Sequence, residues 1–119
     1  MMGAPVEARS RGVLDARARR VVETYRDLAL AVLPGRIERI VLFGSRARGE
    51  ATEDSDWDMA VFLDRAPTWE DRKALSGAGF RTMERTGELI QSLPLGPEEW
   101  RAGHELVRHI RREGIAVYG

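Results

Sequence analysis

The sequence has no cysteine at any of its 119 positions. That absence excludes disulfides, thiolate zinc sites and cysteine nucleophiles together. It also has no charge excess, because nineteen basic residues are matched by nineteen acidic ones. The chain therefore lacks the global positive field of a general nucleic-acid binder. Long apolar runs are missing too, so nothing reads as a membrane span. No apolar signal-peptide core follows Arg9 and Arg11. These absences point to a cytoplasmic protein. The length argues for one domain around one core, and the composition, 43% hydrophobic and 32% charged, is that of an ordinary globular chain.

Residues 1–12 are small and polar, broken by Gly3, Pro5 and Gly12, and read as a mobile N-terminus before a single domain over 13–119. Leu14, Ala18, Val21, Val22, Tyr25, Leu28, Ala29 and Val32 then recur at steps of three and four, the apolar face of a long helix that Pro34-Gly35 ends. Residues 37–43 are an apolar, β-branched run and read as a buried strand. A turn and short helix follow over 44–49, a polar loop over 52–55, and a second strand over 56–63. Residues 68–86 read as a helix anchored by Trp69, Leu75, Phe80 and Met83, although Gly77 and Gly79 weaken it. A third strand is expected over 88–95. Pro97 suits the first turn of a last helix over 97–112, which would turn Trp100, Val107 and Ile110 inward. Gly114 caps that helix, and residues 115–118 close the chain. The order predicts an α/β (α+β) fold, a small mixed sheet of three to four strands flanked by helices.

The chemistry concentrates in Leu42-Phe43-Gly44-Ser45-Arg46-Ala47-Arg48-Gly49, followed after six residues by Asp56-Trp57-Asp58. Glycine at the end of a strand allows a sharp turn. Ser45 then stands where a helix begins, and the free amides and positive dipole end there attract phosphate. The Ser45 hydroxyl is a further donor, and Arg46 and Arg48 offer forked donors to phosphate oxygens. Asp56 and Asp58, two apart on a strand, share one face with their Cα atoms roughly 6–7 Å apart. Such a pair can hold hard cations such as Mg²⁺, and two ions about 4 Å apart clamp the attacking and leaving oxygens of a phosphoryl transfer. Trp57, Met59, Val61 and Leu63 form the opposite, apolar face.

The stretch GSRARGEATEDSDWDMAVFL resembles the GSxAxG…SDxD signature of the DNA polymerase β-like nucleotidyltransferase superfamily, and within it the minimal nucleotidyltransferase (MNT) domains. The resemblance implies that Gly44 and Ser45 hold a triphosphate and that Asp56 and Asp58 bind metal, with two Mg²⁺ ions as cofactor and ATP as substrate. It implies a third acidic residue on a later strand. Glu88 is the candidate catalytic and metal-binding group there. Gln91 is the alternative occupant, and with Gln91 in that place the base is missing. Trp57 is bulkier than the aliphatic residue usual between the two aspartates. The implied activity is transfer of a nucleoside monophosphate, AMP from ATP, to an acceptor hydroxyl. The chain is short for a separate acceptor domain, so the expected acceptor is another protein. Small MNT proteins resemble antitoxins that neutralise HEPN ribonuclease toxins by AMP transfer, which makes a HEPN-type toxin the expected partner. The rival is a non-catalytic module of the same fold that neutralises or scaffolds a partner by contact.

Other patterns carry less. Residues 44–49 fit the glycine spacing of a P-loop, but Glu50 and Ala51 stand where Lys and Ser/Thr are needed. Gly77-Ala78-Gly79 lacks a third glycine and a preceding strand. His104 and His109, five apart, fall on different helix faces and read as surface residues. Arg108, Arg111 and Arg112 favour a helix C-terminus, and Trp69 and Trp100 read as core or interface anchors.

Overall fold

The computed structural model describes residues 14–119, so the N-terminus expected to be mobile lies outside the described residues. The first helix, α1 (Ala16–Val32), starts at Asp15, whose carboxylate accepts the Ala18 amide at 2.7 Å, and stops at Leu33 before the Pro34-Gly35 turn. Strand β1 (Ile37–Phe43) runs into α2 (Ser45–Arg48), and β2 (Trp57–Leu63) into α3 (Trp69–Thr86). The chain then forms β3 (Ile90–Leu95), α4 (Pro97–Ala102), α5 (Glu105–Glu113) and β4 (Ile115–Tyr118).

The four strands lie in the order β3-β2-β1-β4. β2 and β3 are parallel, joined by α3 as the crossover, while β1 is antiparallel to both β2 and β4. One face of the sheet packs Ile40, Leu42, Trp57, Met59, Val61 and Leu63 against α1 and α3. The other face carries Val41, Ala60, Phe62 and Leu95 with Ile110 of α5, flanked by Phe43, Leu93 and Trp100. A register shift between Ile37 and Arg39 lets Ile37 join Ile40 and Leu42 on the first face, which strict alternation would forbid.

Residues 115–118 supply the fourth of the three to four strands expected, and pairing with β1 is what makes them extended. Two expectations need correcting. The last helix is two helices, split at Gly103, which turns into the left-handed region at φ 66°. Val107 and Ile110 are buried as expected, with Trp100 packed at the edge of the same cluster. On α3, Leu75 is buried, but Trp69 and Phe80 are 68% and 58% exposed. The helix faces the sheet with Asp71, Leu75, Ala78, Gly79 and Thr82 instead. Small residues sit there because α3 lies close to β3: a Cβ on Gly79 would already touch Ile90 at 3.4 Å.

The start of α3 is fixed by charge. Asp71 closes a capping box with Thr68 and accepts both arms of the Arg36 guanidinium at 3.0 Å, while Arg36 also donates to Asp64 at 2.7 Å. Arg36 pulls the Asp71 carboxyl down to about 2 against the burial that pushes it up.

Candidate active site

The end of β1, the start of β2 and the start of β3 meet at one corner of the sheet. The ladder sets Phe43, Asp58 and Gln91 side by side, since Phe43 pairs with Asp58 and Asp58 with Gln91. Paired residues in adjacent strands share a face. Asp58 therefore projects on the side of Ala60 and Phe62, and Trp57 on the opposite side, where it is buried. Asp56 stands one residue before the ladder begins.

Gly44 makes the turn into α2 at φ 78°, ψ −160°, a combination essentially reserved for glycine. The turn brings its backbone so close to β2 that a Cβ at this position would collide with the Asp58 carboxylate. Ala47 and Arg48 amides both donate to the Gly44 carbonyl, at 3.0 and 3.1 Å. The first amides of the helix, those of Ser45 and Arg46, have no intrahelical acceptor by construction. Sequence and structure thus agree in placing Gly44, Ser45, Asp56 and Asp58 at one corner.

Asp58 is half-buried, and its carboxyl is pushed up, first by burial and then by the neighbouring Asp56 charge, with Arg48 pulling the other way. An Asp58 carboxyl pushed up in this way, with a second carboxylate beside it, fits a divalent cation, which would offset both causes. Arg48 is bonded to Glu50 at 2.9 Å and lies 3.7 Å from Glu113 of α5, at the rim of the site. A cavity of about 280 Å³ opens there, lined by Phe43, Gly44, Arg48, Leu106, His109 and Glu113. The contribution of α5 was not visible in the sequence. Its one signal is the Glu105, His109, Glu113 spacing, which stacks three ionisable groups on one helix face, with His109 4.0 and 3.9 Å from its two neighbours.

Two expected site residues are elsewhere. Glu88 precedes β3, and its carboxylate accepts the Trp57 indole N–H at 2.8 Å, pairs with Arg17 and lies 3.6 Å from Arg46. These partners hold it on the Trp57 side of β2, away from Asp56 and Asp58. Among the described residues no group of three acidic, histidine or cysteine side chains is arranged to share a metal. Gln91 occupies the position beside Asp58. The expected start of β3, at 88 instead of 90, is what placed Glu88 on that strand as a candidate occupant. Arg46 likewise turns from the phosphate side: its guanidinium lies 4.6 Å over the Trp57 ring and donates to the Ser55 carbonyl at 3.0 Å.

A four-stranded mixed sheet with a glycine-serine turn set against an Asp-x-Asp strand defines a nucleotidyltransferase-type domain. The polymerase beta nucleotidyltransferase family model matches residues 30–119, and the chain belongs to that family. It is 27% identical over 55 residues to the Methanocaldococcus jannaschii protein named "Putative protein adenylyltransferase MJ0141", a match covering 46% of this chain and 56% of that one. The chain thus spans about half the length of this curated relative. A solved structure described as a toxin-antitoxin with AMP-PNP contains a chain of the same fold, with a TM-score of 0.59 over 82% of this chain and 73% of that one, at 18% identity. Among the described residues no helix is long and apolar enough to cross a membrane.

Proposed function

We propose that the domain binds ATP with Mg²⁺ and transfers AMP to a hydroxyl of a partner protein. The observation that carries this is the contact between the Gly44 turn and the Asp58 carboxylate, which makes one site out of a phosphate-binding turn and an acid pair. In this reading the triphosphate lies along the Gly44-Ser45 turn and the start of α2, with Arg48 at its rim. Asp56 and Asp58 would hold Mg²⁺, which when bound supplies charge neutralisation at the α-phosphate. The acceptor oxygen bonds to the α-phosphorus and the bond to pyrophosphate breaks. The hydroxyl proton leaves to water, because Gln91 cannot take it up.

The partner is proposed to be a toxin of the HEPN type. A relative that carries protein adenylyltransferase in its name and a fold neighbour from a toxin-antitoxin structure support a protein acceptor. Gln91 favours a second reading. With an amide in place of a carboxylate at the β3 position paired with Asp58 a base is missing, and a positioned base typically contributes about 10²–10⁴-fold. The domain would then act chiefly by binding nucleotide and partner. The test is intact-mass spectrometry of the co-purified partner after incubation with ATP and Mg²⁺. A gain of AMP units, absent with Asp56→Ala, supports transfer. A tight complex with no adduct supports the binding module.

A further inference from the structure

Arg46, Trp57 and Glu88 were each singled out by the sequence, and none of them faces the acid pair. They touch one another instead. The Arg46 guanidinium stacks 4.6 Å over the buried Trp57 ring. The Trp57 indole N–H donates to Glu88 at 2.8 Å, and the second Glu88 oxygen is paired with Arg17 at the start of α1. The Glu88 amide is itself bonded to the Thr86 hydroxyl at 3.2 Å, which fixes the end of α3 under the cluster. Arg46, boxed between an aromatic plane and a carboxylate 3.6 Å from its Nη2, turns Nε and Nη2 to the loop over 50–56. Its Nε and Nη2 reach the Ser55 carbonyl at 3.3 and 3.0 Å, and Nη2 lies 3.5 Å from the Glu53 carbonyl.

The Ser55 carbonyl belongs to the peptide bond that leads into Asp56. That residue lies outside the β2 ladder, so sheet pairing does not orient it. The loop before it is held within itself by Thr52 and Ser55, whose amides donate to the Ser55 hydroxyl at 2.9 Å and the Thr52 carbonyl at 3.1 Å. Those local bonds shape the loop but do not tie it to the sheet. Arg46 does tie it. A shared cation tolerates only small displacements of its carboxylates, and Asp58, fixed by the ladder, needs Asp56 brought to it.

We propose that Arg46, stacked on Trp57 and braced by Glu88, is a positioning residue for Asp56. It pins the Ser55–Asp56 peptide so that the Asp56 carboxylate stands beside Asp58, and it does not itself contact the triphosphate. This rests on the reading that Asp56 and Asp58 hold the cation. It also explains the bulky residue between the aspartates: Trp57 is the platform on which the guanidinium is held.

The experiment is a double-mutant cycle between Arg46→Ala and Asp56→Ala, read as ATP affinity with Mg²⁺ and with EDTA. The expected result is a loss of roughly ten-fold in Mg²⁺-dependent affinity for Arg46→Ala, the lower end for a group that orients a metal ligand. Affinity in EDTA stays unchanged, and Arg46→Ala causes no further loss on top of Asp56→Ala. A loss that persists in EDTA or in the Asp56→Ala background makes Arg46 a direct phosphate ligand and overturns the proposal. Glu88→Gln, which keeps an acceptor for Trp57 but removes the charge that braces Arg46, should lower Mg²⁺-dependent ATP affinity by less than Arg46→Ala does and leave affinity in EDTA unchanged. A fall in kcat of about 10²–10⁴-fold with unchanged ATP affinity would make Glu88 the base and overturn the proposal. Should the wild-type protein bind no ATP with Mg²⁺, the nucleotide reading fails, and hydrogen exchange in nucleotide-free protein then decides the strap alone. Amides over 50–56 should exchange faster in Arg46→Ala, and unchanged exchange refutes the strap. Arg46→Lys, which keeps the charge but loses the fork, replaces alanine in every arm if Arg46→Ala does not fold.

Discussion

Replacing Gly44 by alanine makes two separable demands on the turn between β1 and α2. The first is conformational. At φ 78° and ψ −160° the backbone sits in a region that non-glycine residues avoid at a cost of about 1–3 kcal/mol. The second is steric, since the new methyl would run into the Asp58 carboxylate. The carboxylate is the free end of a short side chain and can swing away, so this part costs only about the 0.5–1.5 kcal/mol of an off-rotamer side chain. Gly44→Ala should therefore destabilise by about 1.5–4.5 kcal/mol in total, summed from these two parts. In an Asp58→Ala background the collision is gone and only the conformational part remains. Urea unfolding of the four proteins measures this, because a difference of about 1 kcal/mol moves the midpoint by several tenths of a molar. If alanine costs the same in both backgrounds, within about 0.3 kcal/mol, the two sites are independent and the close approach of Gly44 to Asp58 is refuted. Gly44→Ala should also abolish the thermal stabilisation by ATP with Mg²⁺, as the displaced carboxylate no longer faces Asp56.

Gln91→Asp places a carboxylate beside Asp58 on the same face, and it should raise AMP transfer by up to about 10²–10⁴-fold at unchanged ATP affinity; no gain in a single-turnover assay would show that the missing group does not limit the rate. Asp71→Asn should cost about 2 kcal/mol at neutral pH, the worth of a carboxyl pulled from 3.8 to about 2. Because its folded value is depressed, that stability is present above the ordinary carboxylate range and is lost as pH falls towards 2, so wild type and variant should converge in acid unfolding. Asp58 has the opposite sign. Its carboxyl is pushed up, so the folded state prefers it protonated and loses stability as pH rises through its raised value. Asp58→Asn should thus be more stable than wild type at neutral pH without metal, and the gain should vanish in acid and in the presence of Mg²⁺. A destabilised Asp58→Asn at neutral pH would refute the strained acid pair.

Elements with strong periodicity and clear punctuation were legible in the chain. The apolar face of α1, the bounds of β1 and the breaks at Pro34-Gly35 and Pro97 follow from local chemistry, and all are found in the structure. The Gly44-Ser45 turn was equally local, because glycine geometry acts over a few positions, whereas Asp56 stands just outside β2 and takes no orientation from the strand repeat. The rest came from contacts between elements distant in the chain. β4 exists because β1 offers it a partner, and α3 buries Ala78 and Gly79 rather than Trp69 and Phe80 because the helix rides close to β3. The identity of the group beside Asp58 depends on the register between two strands more than thirty residues apart in the chain, and that register puts Gln91, three positions after Glu88, beside it. Charge and spacing along the chain made Arg46 and Glu88 candidates for the site. Their actual roles were set by the indole of Trp57, which gives one a surface to stack on and the other a proton to accept.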